Sequence, residues 1–344
     1  MERGETYEHS AGRMDPMTTW LVTGGAGYIG AQVVRALGAA GLTPVVLDDF
    51  STGKREFVPA GVASIEADVL DRAAVESALR LNGCSGVIHL AGFKYAGESV
   101  KRPTHTYRQN VEGTASLLDA MAQAGVARLV FSSSAGVYGT PSTEIVTEDT
   151  PCNPESPYGE SKLVAEWLIR DQITATSATP HHLVATSLRY FNVVGSGPDR
   201  VYDVSPHNLF PKVFATLVSG GTPSINGDDY ATPDGTCVRD YIHVVDLAHA
   251  HAQAAIALDR GQVLEPVYNL GSGSGTSVRQ IMEAMRTVTG IDFTPRVGPR
   301  REGDPARIVA TGDLAARDLA WANTHSLEDM VRSAWEAAPR HSEL

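Results

Sequence analysis

The chain has 344 residues, 42% of them apolar and 20% charged, which is enough for one or two globular domains with a full core. A formal net charge of -12 argues against general binding to nucleic acid or an acidic membrane surface, and no apolar run approaches the roughly 18 residues of a membrane span. Cys84, Cys152 and Cys237 lie far apart, a pattern that fits neither a disulfide framework nor a structural zinc site and points to a reducing compartment, the cytoplasm.

Residues 1–16 are polar, carry both signs of charge and lack the apolar core of a signal peptide; they read as a disordered extension, with Met17 opening the fold. Residues 20–23, 44–47, 86–90 and 128–131 are short, nearly continuous apolar runs, the pattern of strands buried on both faces of a parallel sheet. Helix-like stretches at 31–40, 72–81 and 113–124 alternate with them, and 183–189 adds a further strand. Such alternation predicts a doubly wound, Rossmann-type α/β fold over 17–189. After Asn192 glycine and proline cluster at 195–211 and 220–235, so these segments read as loops able to cover a ligand. A helix over 241–250 and a strand over 266–270 return to the first domain. Residues 190–240 and 271–344 form a smaller mixed α/β substrate-binding domain.

Gly24, Gly27 and Gly30 follow the first strand and open the first helix. Glycine at this spacing permits a tight turn, close approach of backbone to a pyrophosphate and close helix–strand packing. Asp48 ends the second strand, where a carboxylate accepts bonds from both ribose hydroxyls and repels a 2′-phosphate; NAD is therefore favoured over NADP, although Lys54 and Arg55 follow soon after.

Ser156-Pro157 reads as a helix start, and Tyr158 and Lys162 then share one helical face. A free phenol, with a pKa of about 10, is a poor base at neutral pH, but a nearby ammonium favours its ionised form. Tyr-x-x-x-Lys alone is common on solvated helices. Here Phe131-Ser132-Ser133-Ser134 comes roughly one βα step earlier and offers Ser134 as hydrogen-bond partner for the reacting oxygen. Ser134, Tyr158 and Lys162 are the candidate catalytic residues, with Lys162 also able to bond the nicotinamide ribose.

With these elements in place, the chain resembles the extended short-chain dehydrogenase/reductase family, and within it the UDP-glucose 4-epimerase branch. The resemblance rests on "VTGGAGYIG", "HLAGFKYAGESV", "FSSSAGVYG", "SPYGESK", "LRYFNVVG", "DGTCVRDYIHVVDLAHAH", "YNLGSG" and "RREGD", and covers nearly everything from Met17 to the C-terminal region. It implies that Tyr28 and Ile29 line the pyrophosphate, that Asp68 and Val69 hold the adenine, and that Leu90, Ala91 and Gly92 pass along the cofactor. Lys94 would stand near both cofactor and substrate, Asn110 would support the site, and Phe191 would flank the nicotinamide. Asn192, Asn208 and Leu209 would contact a UDP-sugar. Arg239 and Arg301 would clamp its diphosphate, which suits the arginine fork, and Asp304 would hold the uridine ribose. No metal is implied.

The implied activity is NAD-dependent inversion at C4 of a UDP-hexose through a 4-keto sugar, by a homodimer built on helices such as 113–124 and 164–172. Three positions depart from the family pattern: Gln109 where asparagine is frequent, Val193 in place of proline, and Asn226 where an aromatic residue often lies near the uracil. A 4,6-dehydratase is disfavoured, because Ser132-Ser133-Ser134 carries no acidic pair. A UDP-N-acetylhexosamine or UDP-uronate 4-epimerase stays open, with Ile308 at the position that tunes room for the 2-substituent. A non-catalytic NAD-binding sensor would be expected to lose Tyr158 or Lys162.

Overall fold

The computed structural model describes residues 18–301 and 304–339, so the extension expected at 1–16 lies outside the described residues. Seven strands form the central sheet: β1 (Thr19–Thr23), β2 (Thr43–Asp48), β3 (Ala63–Glu66), β4 (Cys84–His89), β5 (Arg128–Ser132), β6 (Val184–Tyr190) and β7 (Val267–Leu270). They run in the order β7-β6-β5-β4-β1-β2-β3, and every pairing is parallel. The order reverses between β1 and β4, which opens a crevice at the carboxyl ends of those strands, where doubly wound folds bind ligands.

Strand alternation assigns each side chain to a face. Trp20, Val22, Val46, Ile88 and Val130 pack on one side with helices α1 (Tyr28–Ala39) and α6 (Val244–Asp259). Leu21, Val45, Val87, Leu129 and Phe131 pack on the other with α2 (Arg72–Leu81), α3 (Gly113–Ala124) and α4 (Pro157–Thr176). Burial on both faces is why these strands read as continuous apolar runs. β3 is an edge strand whose residues stay largely exposed, and it has no apolar run to announce it.

A third core joins α5 (Leu209–Val218), α7 (Val278–Thr289) and α8 (Leu327–Ala337) through Phe210, Phe214, Ile281, Met285 and Val331. Residues 241–250 depart from the expected helix. Tyr241–His243 forms a strand parallel to Asn192–Val194, and the helix starts only at Val244, where the His243 ring accepts the Val245 N–H at 3.1 Å. Tyr-Ile-His suits either state, and pairing with a strand distant in sequence decides it. Ala315, Leu319 and Trp321 join the core of the sheet, so the C-terminal segment serves both halves. Among the described residues no helix is long and apolar enough to cross a membrane.

Candidate active site

The loop between β1 and α1 is shaped by close backbone approach. A Cβ on Gly30 would lie 2.1 Å from the Gly24 carbonyl oxygen, and one on Gly24 would lie 2.8 Å from the Ala91 nitrogen. The N-cap of α1 is Gly27, with no side chain bonded to the first-turn N–H groups, which leaves the helix end available to an anion. Asp48 is buried beside it. One carboxylate oxygen accepts the Ala26 N–H at 2.9 Å, and the other accepts the Phe50 N–H at 2.8 Å. Burial raises its pKa, opposed by these two bonds. An uncapped helix end and a fixed carboxylate at the end of β2 fit a dinucleotide with free ribose hydroxyls.

Tyr158 and Lys162 lie on the first turns of α4. The Ser156 hydroxyl caps that helix by accepting the Gly159 N–H at 3.2 Å, with Pro157 at the first helical position. Gly159 lets α4 press against the turn after β5, since a Cβ there would fall 2.3 Å from the Gly136 carbonyl oxygen. That contact brings the Tyr158 ring beside the Ser134 hydroxyl, which accepts the Gly136 N–H at 3.1 Å. Desolvation raises the phenol's pKa and Ser134 opposes this.

The Lys162 ammonium turns to the Ser132 carbonyl oxygen, 2.9 Å away, and stands 4.8 Å from the Phe131 ring centre. Burial brings its pKa down to about 8, with the Glu166 carboxylate opposing the fall. The ammonium expected to favour the phenolate is thus itself weakened by burial.

Tyr158 and Lys162 line a cavity of about 1540 Å³, whose wall does not include Ser134. Its wall carries the cofactor candidates Gly24, Gly27, Tyr28, Ile29, Gly30, Asp48, Asp68, Val69, Leu90, Ala91, Gly92, Lys94, Lys162 and Phe191, together with Tyr158. The substrate candidates Asn192, Asn208 and Leu209 line it too. Tyr28 is held by a bond from its hydroxyl to the Gly195 carbonyl, 2.6 Å away. Lys94 stays exposed to the cavity; desolvation lowers its pKa, and the Asp203 and Asp48 carboxylates oppose the fall.

Asn110 lies behind the wall on a widened (π) turn over Arg108–Glu112. Its side chain accepts the Phe93 N–H at 2.7 Å and donates to the Phe93 carbonyl and the Ser161 hydroxyl, so it braces the floor.

Arg239, Arg301 and Asp304 do not line this cavity. Arg239 and Asp304 pair with each other at 2.6 Å. The Arg301 guanidinium reaches the segment after Lys94, where a methyl on Gly97 would lie 3.7 Å from it. Gln109 and Val193 are on the cavity wall. Asn226 is exposed at the end of Ser224–Asn226, away from it.

Several residues at the site escape sequence reasoning. Tyr190 lines the cavity with Tyr158, and desolvation pushes its pKa up. Tyr202 and Asp203 close the same wall from the loop after Asn192. Glu166 stands one turn beyond Lys162, a spacing that was available as a signal, but its partner Arg189 is on β6 and no local pattern joins them.

The pattern of the NAD dependent epimerase/dehydratase family matches residues 20–271. UDP-glucose 4-epimerase of Corynebacterium glutamicum is 43% identical over 321 residues, 92% of this chain and 94% of that protein. The structure of UDP-glucose 4-epimerase from Brucella ovis in complex with NAD superposes with a TM-score of 0.87 at 37% identity, covering 93% of this chain and 98% of that one. The Bifidobacterium longum enzyme in complex with NAD⁺ and UDP gives a TM-score of 0.82 at 36% identity, with the same coverage. A glycine loop shaped for a dinucleotide, a Tyr158–Lys162 pair on the wall of the same cavity and relatives alike over nearly their whole length agree: the chain belongs to the NAD dependent epimerase/dehydratase family.

Proposed function

We propose that the protein is an NAD-dependent isomerase that inverts C4 of a UDP-hexose, interconverting UDP-galactose and UDP-glucose, with Ser134, Tyr158 and Lys162 as its catalytic residues. One observation carries this reading: Tyr158 and Lys162 line a single cavity together with the glycine loop, Asn192, Asn208 and Leu209.

NAD⁺, which Gly24, Gly27, Gly30 and Asp48 would hold, would supply the hydride acceptor and donor for C4. Tyr158 removes the proton of the sugar 4-hydroxyl as the hydride leaves, and Ser134 hydrogen-bonds the same oxygen while it becomes a ketone. Lys162, on the same helical face, bonds the nicotinamide ribose and supplies positive charge near the phenol. The sugar then turns about its diphosphate link, accepts hydride on the opposite face, and recovers its proton from Tyr158. Inversion requires a ligand held by its nucleotide end with the sugar loose. Arg239, Arg301 and Asp304 are the proposed holders of that end, with the Arg239–Asp304 pair opening to share its charges with the ligand.

Residues 17–189 with 241–270 would hold the cofactor, and 190–240 with 271–344 the substrate. The working form is proposed to be a cytoplasmic homodimer. The three free cysteines fit the compartment, and Trp167, which stays 47% exposed on α4, fits the interface.

Incubation of the purified protein with UDP-galactose should yield UDP-glucose; no conversion with NAD bound sinks the proposal. The same product analysis on UDP-N-acetylgalactosamine and a UDP-uronate sets the substrate range.

A further inference from the structure

Ser133 sits between Ser132, whose carbonyl meets the proposed catalytic Lys162, and the proposed catalytic Ser134, whose hydroxyl lies beside the Tyr158 ring. The Ser133 side chain, 0% exposed, donates instead to Glu166 Oε1 at 2.5 Å. That oxygen also accepts Arg189 Nε at 2.9 Å, and Glu166 Oε2 accepts Arg189 Nη2 at 2.5 Å. The guanidinium is fixed in turn: Nη1 donates to the Tyr138 hydroxyl at 2.8 Å, which donates to Asn269 Oδ1 at 2.8 Å. Three elements meet here, since Ser133 follows β5, Glu166 is on α4 and Arg189 is on β6. Glu166 and Arg189 are both buried, and a planar fork matched to a carboxylate fixes the direction as well as the charge of the pair.

We infer that Glu166, clamped by Arg189, is a positioning residue for the reaction: it grips the Ser133 hydroxyl and so sets the backbone that presents Ser132 to Lys162 and Ser134 to Tyr158. The inference rests on the proposed roles of those three residues. The same carboxylate is the negative charge that faces Lys162 and favours its protonated form. The other groups around the ammonium are the Ser132 carbonyl, the Phe131 ring and the buried His89 of β4, whose pKa the ammonium helps to lower to about 3.

Two variants separate grip from charge. Ser133→Ala removes the grip and leaves the ion pair, so kcat should fall roughly tenfold with KM for UDP-galactose, bound NAD and the pH profile unchanged. Glu166→Gln keeps the reach and removes the charge, so the alkaline limb of kcat should move to lower pH as Lys162 loses its proton more readily. Glu166→Asp keeps the charge but is one methylene short of Ser133, so it should restore the limb and not the turnover. If Glu166→Gln fails to fold, Ser133→Ala and Glu166→Asp decide the question.

Parental kcat in Ser133→Ala, or an unmoved alkaline limb in Glu166→Gln, overturns the inference. A Tyr158→Phe control run alongside tells the two failures apart. If that variant turns over normally, the site reading itself is wrong; if it is inactive while Ser133→Ala is unaffected, only the positioning role is lost.

Discussion

Tyr158, the proposed base, is held back from ionising. Tyr158 is half-buried on the cavity wall; desolvation raises the phenol's pKa, and Ser134 offsets only part of that. A residue in this state holds its proton until substrate and cofactor bring their own charges, which suits a group that must both take and return one proton. Tyr158→Phe removes the hydroxyl and leaves the ring, so turnover should fall by about 10² to 10⁴ while bound NAD stays at the parental level. Absorbance of bound cofactor alongside a steady-state assay checks both halves. The Tyr158–Lys162 spacing and the glycine loop were legible in the sequence because both are local: helical period fixes one, and steric contact between neighbouring turns fixes the other. The Glu166–Arg189 pair joins residues 23 apart on a helix and a strand, and the bracing of Phe93 by Asn110 spans 17. No local spacing rule reaches either contact, and they become visible only when the sheet order is known.

At the scale of elements, α4 is the part on which the proposed chemistry depends. Its first turn carries the tyrosine, its second the lysine and its third the glutamate, so any change in where α4 begins moves all three. Ser156→Ala deletes the cap and should cost about 1 kcal/mol of stability, read as a lower denaturant midpoint. Because the frayed turn would be the one holding Tyr158, kcat should fall with it; loss of stability at full activity would show that packing against Gly136, not the cap, sets the tyrosine. The start of α4 was legible as Ser-Pro, and β1, β2, β4 and β5 as apolar runs, because capping and two-sided burial leave direct marks on composition. β3 left none, since an edge strand can be polar and is defined by its partner, β2. Tyr241–His243 was misread as helix for a related reason: its partner, Asn192–Val194, is about fifty residues away, beyond the reach of a local period.

Over the whole molecule, three buried imidazoles tie the layers together as neutral groups. His89 on β4 contacts Thr23 of β1 and Thr114 of α3, at 2.7 and 3.2 Å. His251 on α6 donates to the Leu247 carbonyl and accepts the Ser132 hydroxyl of β5 at 2.6 Å. His243 caps α6, contacts Ser333 of α8 at 3.0 Å and stacks on His325 with ring centres 3.9 Å apart. Burial brings the pKa of His243 and His251 down to about 4 and that of His89 to about 3. In the unfolded chain each would titrate near 6.5. Below that pH the unfolded state takes up the three protons first, so stability present at neutral pH is lost as pH falls from about 6.5 toward 4, at about 1.4 kcal/mol per pH unit for each imidazole. Asp48 and Asp240, whose pKa values burial raises, work in the opposite sense at the acid end of the window. Urea unfolding at about pH 7 and about pH 5 should therefore show a steep loss of stability, and His251→Gln should flatten the slope by about one proton. An equal slope in that variant would mean that His251 is charged in the folded state and that its bond to Ser132, directly beneath Lys162, is made by an imidazolium.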